Sequence, residues 1–504
     1  MTAGVLAVLV VPVVGALVTL AARGPARWLA GVLAAVVGTL GALQVAGAVL
    51  VAGAGASLLL RGPLGIEVVL VVDGLGAAML AMAAVVVLGV AGFAAAEDHR
   101  APDRRHVAYW PLMLALWWGL NVLFLAGDLL TLYLMLELVG ACGALLVTLR
   151  GGVGSLLAGA RYFYAELAAS TTMLAGLALV WSQAGTLVLA DLDGSLLQGG
   201  LGTVGLAAIT VGLLLKVPLA PLHLWLTPAH SLAPSAVSPL LSAVMVKVAF
   251  VVLLRIWVQA LPGALGPAPA QLLGALGAFA VLWGSLLALR ATGLKQLIAA
   301  STVAQLGLLF LLFPLVVAGA ADGWSGGVFL AVAHAPAKAA MLMAAAIVVD
   351  SARRAGAATP IVADTGSAMP GSDGDATSWP VLEGLRGSAA RRPTAVLALG
   401  VAGLAMVGLP PSGGFVGKWY LLLGSVHAGQ WWWVAVVVVG TLLTAAYLMR
   451  FVRPAMAPPQ GTAIAERDAR DVVALALAGL AVVLGLWPGP LLDLLAIGGP
   501  GPGG

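Results

Sequence analysis

Six side chains of this chain could move protons or cations: Glu137, Lys216, Lys247, His334, Lys338 and Lys418. Each is set in strongly apolar sequence. All five lysines lie in or against such sequence, the fifth being Lys295, whereas the loops use arginine, of which there are 19. Lysine differs from arginine in that its pKa moves readily on desolvation, so it can gain and lose a proton near neutral pH. An ionisable group at membrane depth costs roughly 2.5 to 3.5 kcal/mol on insertion scales, and usually marks an ion or proton path. Glu137 lies nine residues after Asp128 in DLLTLYLMLELVGACGALL. Asp128 suits a helix N-cap at the membrane edge, which puts Glu137 about 13 Å deeper at about 1.5 Å per residue. A lone carboxylate there needs a partner, and Lys216 is the candidate. Such a pair is neutral by proton sharing or ionised when close. The bland alternative is a static ion pair that holds helices together.

The remaining candidates are graded by their surroundings. Lys247 sits in SPLLSAVMVKVAFVVLL, among small residues that permit close helix approach. The stretch PLHLWLTPAHSLAPSAVS contributes His223 and His230. Histidine is a natural relay near neutral pH, but His230, read near the cytoplasmic edge, could equally cap a helix. His334 and Lys338 are four apart in AVAHAPAKAAMLM and share one helical face. With no carboxylate near them in sequence, a neutral lysine or a hydrated channel is favoured. Glu166 follows Arg161 by five residues in RYFYAELAAS. It is expected to snorkel towards the cytoplasmic side, with burial as the alternative. Lys295 opens a helix after Arg290 and is expected at the interface, with a side chain able to enter the path through LKQLIAASTVAQLG.

The elements that must position these groups are membrane helices. The chain has 504 residues, 62% hydrophobic and 9% charged, with a mean hydropathy of +1.09. Apolar stretches of about 20 residues recur from end to end, each long enough to span a bilayer. The first lacks the charged n-region and cleavage site of a secretory signal and is read as a retained helix. Fourteen spans are predicted, at 3–22, 28–53, 70–96, 108–127, 129–149, 161–183, 201–221, 235–258, 270–290, 296–317, 326–349, 394–424, 430–452 and 471–490. Arginines crowd alternate loops: Arg23 and Arg27, Arg100 to Arg105, Arg150 and Arg161, Arg290, Arg353 to Arg392, and Arg450 to Arg470. The intervening loops hold Arg61, Asp191, Asp193 and Asp322. By the positive-inside rule both termini lie outside the cytoplasm, so the expected setting is a cytoplasmic (inner) membrane. The segment 351–393 reads as a mobile cytoplasmic loop, the tail after Trp487 as frayed, and the tryptophans mainly as interfacial belts and packing.

Composition also excludes. One cysteine, Cys142, rules out internal disulfides and cysteine-ligated clusters. No Gly-rich phosphate loop, paired-His haem pattern or CxxC is present, so no cofactor, metal or electron-carrying site is expected. The scattered arginines imply no nucleic-acid partner.

Two spans contain breaks. Pro218 and Pro221 interrupt LLLKVPLAPLHLWL beside Lys216, and Pro410, Pro411, Gly413 and Gly414 interrupt VGLPPSGGFVGKWYLLL before Lys418. Proline removes a backbone donor and clashes with the preceding turn. Broken helices at membrane depth survive only where they line protein interior or a wet cavity. A lysine beside each break, in two separated segments, suggests an internal repeat of the transporter type, against a kink that merely shapes packing.

The stretches GDLLTLYLMLELV, LLLKVPLAPLHLWLTPAHSLAPSAVSPLLSAVMVK, LKQLIAASTVAQLG, AHAPAKAAMLM and GLPPSGGFVGKW occur in one order. The chain therefore resembles the antiporter-like membrane subunits of respiratory complex I, group 4 membrane-bound hydrogenases and Mrp-type cation/proton antiporters, over roughly residues 65–455. The resemblance implies an all-α polytopic fold of about fourteen helices with two inverted five-helix repeats, spans 4–8 and 9–13, and broken helices 7 and 12. Residues 1–107 would hold the first three helices, 108–258 the first repeat, 270–452 the second, and 471–490 the last helix. It makes Glu137 and Lys216 the coupling pair, Lys247 the central relay of the first half-channel, His334 and Lys338 the bridge between halves, and Lys418 the exit-side lysine. PLGIEVVLVVDGL and GDLLTLYLMLELV are similar to the Mrp D-type subunit, HLWLTPAHSLAPSAVS to hydrogenase and complex I subunits.

Three functions are expected of such a chain. The first is a proton-translocating subunit of a respiratory or hydrogenase-type complex, with other integral membrane subunits as partners. The second is a subunit of an Mrp-type monovalent cation/proton antiporter, in which sodium could move. The third is a non-conducting scaffold, against which the intact set of charged residues argues.

Overall fold

Local signals place the helix ends. Proline opens α2 (Pro25–Ala52) and α9 (Pro267–Arg290) at their first position, where its missing N–H costs nothing. Asp128 caps α5 (Leu129–Thr148): its Oδ1 accepts from Thr131 N at 2.6 Å, and its Oδ2 from Val69 N at 3.0 Å. Asp468 and Asp471 form a capping box at the start of the last long helix, Ala469–Leu486.

The computed structural model describes residues 1–53, 57–61, 67–100, 107–197, 199–354, 382–459, 465–466 and 468–500. The other long helices are α1 (Thr2–Ala21), α3 (Gly74–Arg100), α4 (Tyr109–Leu125), α6 (Gly152–Ala184), α7 (Gly200–Lys216), α8 (Val237–Ala260), α10 (Leu294–Val317) and α11 (Ala321–Arg354). They continue with α12 (Pro393–Val407), α13 (Gly413–His427), α14 (Trp431–Met456) and α15 (Ala469–Leu486). Among the described residues eleven helices are long and apolar enough to cross a membrane, and α4, α7 and α12 are shorter apolar helices. Each of the fourteen expected segments overlaps one of these, the twelfth being split between α12 and α13. One antiparallel hairpin departs from the helical pattern. Ser57–Arg61 pairs with Glu67–Val71, Ser57 opposite Val71, where EVVLV supplies β-branched residues.

Three of the lysine-bearing helices, α8, α10 and α11, lie at the centre. The most apolar stretches of α8 and α11 are wholly buried, and α10 is nearly so. The outer helices turn Leu17, Leu33, Leu40, Leu156, Trp181, Trp431 and Val472 outwards, an apolar girdle that only a bilayer or partner can cover. The tryptophans are not all belt residues. Trp110, Trp117 and Trp324 are buried, and the rings of Trp110 and Trp117 pack where Gly31 and Gly38 of α2 leave room.

Two segments differ from expectation. Of the expected loop 351–393, residues 355–381 lie outside the described residues. Leu382, Leu385, Ser388 and Arg392 are buried, because Arg392 pairs with Asp468 at 3.1 Å and Leu382 N donates to Thr292 O at 3.1 Å. Nor is the tail after Trp487 frayed as far as it is described. Gly489–Ala496 is helical, with Leu494 and Leu495 buried, and Gly74 N donates to Ile497 O at 3.1 Å.

Candidate functional site

The first break lies where α7 ends at Lys216. Pro218 and Pro221 fall in the turn that follows, and a short helix, Leu226–Leu232, resumes the chain. Lys216 Nζ donates to Glu166 Oε2 at 2.6 Å and to Glu137 Oε1 at 3.2 Å. Ser170 Oγ donates to the same Glu137 oxygen. One ammonium thus faces two carboxylates, so the group carries a net negative charge when all three are ionised.

Glu166 is the main correction to the sequence reading. Its side chain is 12% exposed, against 35% for Glu137, and it is the nearer partner of Lys216. The reason is helix length: α6 starts at Gly152, about nine residues before the expected span. Glu166 then falls on the buried stripe of Tyr162, Ala169, Ser170, Met173 and Leu177, a 3.6-residue periodicity already visible in the sequence. Ser170 sits on the same stripe and was not singled out.

Beside this triad is a cavity of about 20 Å³ lined by Glu166, Lys216, Tyr162, Trp225, Met245 and Val248 among others. That is room for roughly one water. It extends from the triad to α8, the helix that carries Lys247. Lys247 lies between two π-helical stretches, Leu241–Met245 and Arg255–Ala260, and its ammonium donates to the Ala243 carbonyl. Ser242 and Thr302 share a 2.9 Å hydrogen bond that ties α8 to α10.

On α11, Lys338 Nζ donates to Ser301 Oγ at 2.6 Å and to Ile298 O at 2.9 Å. His334, one turn earlier, is buried, and among the described residues its Nε2 has no hydrogen-bond partner. The second break separates α12 from α13. Gly408, at φ +83°, makes the turn in a left-handed conformation that glycine adopts without strain. A Cβ there would lie 2.8 Å from Lys418 Cδ. Lys418 reaches back to the carbonyls that the break frees, Met406 O at 3.1 Å and Val407 O at 2.7 Å, a favourable place for a cation. Lys216, Lys247, Lys338 and Lys418 are all buried, and among the described residues only Lys216 has a carboxylate within ion-pair distance.

Lys295 and His230 are both buried inside the protein. Lys295 is 1% exposed and donates to Ala233 O at 2.8 Å. The packing of α10 against the Leu226–Leu232 helix, a contact between residues 62 positions apart, buries it. His230 is equally buried and caps no helix, because the broken segment folds inwards. His223 is buried in the same segment.

One residue before α3, Asp73 forms a two-pronged pair with Arg255 of α8 at 2.8 and 3.0 Å and accepts from Gln259 at 2.9 Å. Burial pushes the Asp73 carboxyl up. The Arg255 guanidinium, with the Gly76 and Gln259 donors, more than offsets this and holds it below the usual carboxylate range.

The chain matches the family NADH:quinone oxidoreductase/Mrp antiporter, TM, over residues 126–444, a stretch that holds both breaks and every buried lysine. The chain belongs to that family. It is 32% identical over 418 residues to an NADH-quinone oxidoreductase subunit N of Desulforudis audaxviator, covering 80% of this chain and 76% of the relative. Its fold matches a chain of an archaeal respiratory membrane complex, the membrane-bound sulfane sulfur reductase, with a TM-score of 0.82 at 25% identity, over 98% of this chain and 96% of that one. It also matches a chain of an Mrp complex from a Dietzia species with a TM-score of 0.83, over 99% and 97% of the two chains; at 22% identity that likeness shows the fold.

Proposed function

We propose that this chain is a proton-translocating membrane subunit of a multi-subunit respiratory-type complex, working beside other integral membrane subunits. The observation that carries the reading is the burial of all four lysines, Lys216, Lys247, Lys338 and Lys418, with Glu137 and Glu166 on the first. Isolated charges at such depth would cost roughly 2.5 to 3.5 kcal/mol each; a shared hydrated axis relieves all of them. Protons pass from the Glu137–Glu166–Lys216 triad through the cavity to Lys247, then by His334 and Lys338 to Lys418. The ion pair at Lys216 sets the proton affinity of the next group by forming and opening. Likeness to oxidoreductase subunits supports a redox-driven pump.

In this reading the chain crosses the cytoplasmic membrane fourteen times, with both termini on the non-cytoplasmic side, as the arginine alternation supports. Residues 108–258 and 270–452 are two inverted repeats, each with its own broken helix. The test is Glu137→Gln in the assembled complex, reconstituted in vesicles with an internal pH dye. Proton transfer should be abolished while assembly persists; wild-type transfer would overturn the reading. Replacing sodium by choline in the same assay decides whether sodium moves, and genes for redox subunits beside this one would favour a pump over an exchanger.

A further inference from the structure

Between Lys338 and Lys418 lies a group of buried hydroxyls to which no function has been given. Ser301 of α10, bonded to Lys338, is 0% exposed, as is Tyr447 of α14. Thr444 of α14 and Gln305 of α10 are buried with them. Gln305 is one turn beyond Ser301. Its Nε2 donates to Thr444 Oγ1 at 3.2 Å, to Met406 O at 3.4 Å and to Tyr447 Oη at 3.5 Å. Tyr447 donates to Thr444 Oγ1 at 3.3 Å and lies within polar reach of Ser301. Met406 O is also the acceptor for Lys418. Polar groups buried in an apolar bundle cost free energy unless bonded, and these converge on the partners of both lysines.

We propose that Ser301, Tyr447 and Thr444 form the proton link between Lys338 and Lys418. The proposal deepens the proton-path reading and rests on it. Ser301 now donates to Ile298 O at 2.7 Å, so transfer begins when its hydroxyl rotates towards Tyr447. Ser301 Oγ takes a proton from the Lys338 ammonium as its own proton passes to Tyr447 Oη. Tyr447 hands its hydroxyl proton to Thr444, whose hydroxyl, donating at rest to Gly440 O at 2.7 Å, turns to hand its own proton to a water bonded at the Met406 carbonyl. That water gives a proton to the Lys418 amine. Each oxygen ends with the hydrogens it began with, and the net change is one proton moved from Lys338 to Lys418. The Gln305 carboxamide cannot relay without changing tautomer; its bonds hold the two α14 hydroxyls side by side.

Tyr447→Phe removes one oxygen and leaves the ring. Proton flux is measured in vesicles holding the whole complex, beside Lys338→Met and Lys418→Met. The expected loss with Tyr447→Phe is on the order of 10²-fold, the scale of a lost proton-transfer group, at unchanged assembly and thermal midpoint. A purely structural clamp between α10 and α14 would lower the midpoint instead. If both lysine variants block flux and Tyr447→Phe costs less than about tenfold, the link is refuted and the proton path stands. If the lysine variants conduct normally, the path reading falls and the link with it. Should Tyr447→Phe fail to assemble, Thr444→Val is read by the same threshold.

Discussion

Glu166→Gln is the sharpest perturbation of the triad. Lys216 lies 2.6 Å from Glu166 and 3.2 Å from Glu137. At an effective dielectric near 20 these separations are worth about 6 and about 5 kcal/mol. The second figure shrinks further because Glu137 is 35% exposed and water screens it. Most of the compensation for the Lys216 charge therefore comes from Glu166. Removing one partner of a buried pair costs about 3 to 5 kcal/mol; because Glu137 remains, about 3 is the expectation here. At about 1.4 kcal/mol per decade, that corresponds to a loss on the order of 10²-fold in any step that needs Lys216 charged. The assay is dye-reported proton transfer by the reconstituted complex with Glu166→Gln, Lys216→Met and the double variant. The single and double losses should be similar, because residues acting as a unit are not additive. Transfer within twofold of wild type for Glu166→Gln, with Glu137→Gln blocked, would refute the triad and leave a simple pair.

Three further outcomes are expected. Lys418→Arg should lose transfer as completely as Lys418→Met, because arginine keeps the charge but does not release the proton; full activity with arginine would mean that charge alone suffices. Asp73→Asn should destabilise the protein by about 3 kcal/mol or more. Because the folded-state pKa of Asp73 lies below its ordinary 3.8, the wild-type contribution is present above that pH and fades as pH falls below it, so thermal midpoints of the two proteins should converge in acid. Parallel curves at all pH values would contradict this. Gly326→Ala should cost about 1 to 3 kcal/mol, since a Cβ there would lie 2.6 Å from Leu421 N and 2.9 Å from Tyr420 C of the crossing helix; an unchanged midpoint would show that α11 and α13 can separate freely.

The helices and the lysines were legible because hydropathy contrast is local: a lysine in VMVKVAF stands out without any neighbour being known. The breaks at Pro218 and Pro410 were legible for the same reason. What failed was depth near helix ends. Arg161 suggested an interface beside Glu166, but α6 begins at Gly152 and carries both residues further along the helix. The burial of Lys295 and His230 depends on a contact between the Leu226–Leu232 helix and α10, which no local pattern encodes. Ser170 shares the Glu166 stripe without showing which group it faces, and Ser301 carries no signal of its own. Only the facing helix makes them partners of Glu137 and Lys338. Tyr447, wholly buried, lies on α14, outside the motifs that carry the resemblance.

The most direct measurement uses Lys247→Met in the assembled complex, with proton transfer across the vesicle membrane as the readout. Among the described residues the Lys247 ammonium has one hydrogen bond, to the Ala243 carbonyl of its own helix, so methionine removes no hydrogen bond between helices. The account expects a complex that assembles and melts as wild type does but transfers no protons. Wild-type transfer by Lys247→Met would contradict the buried-lysine path.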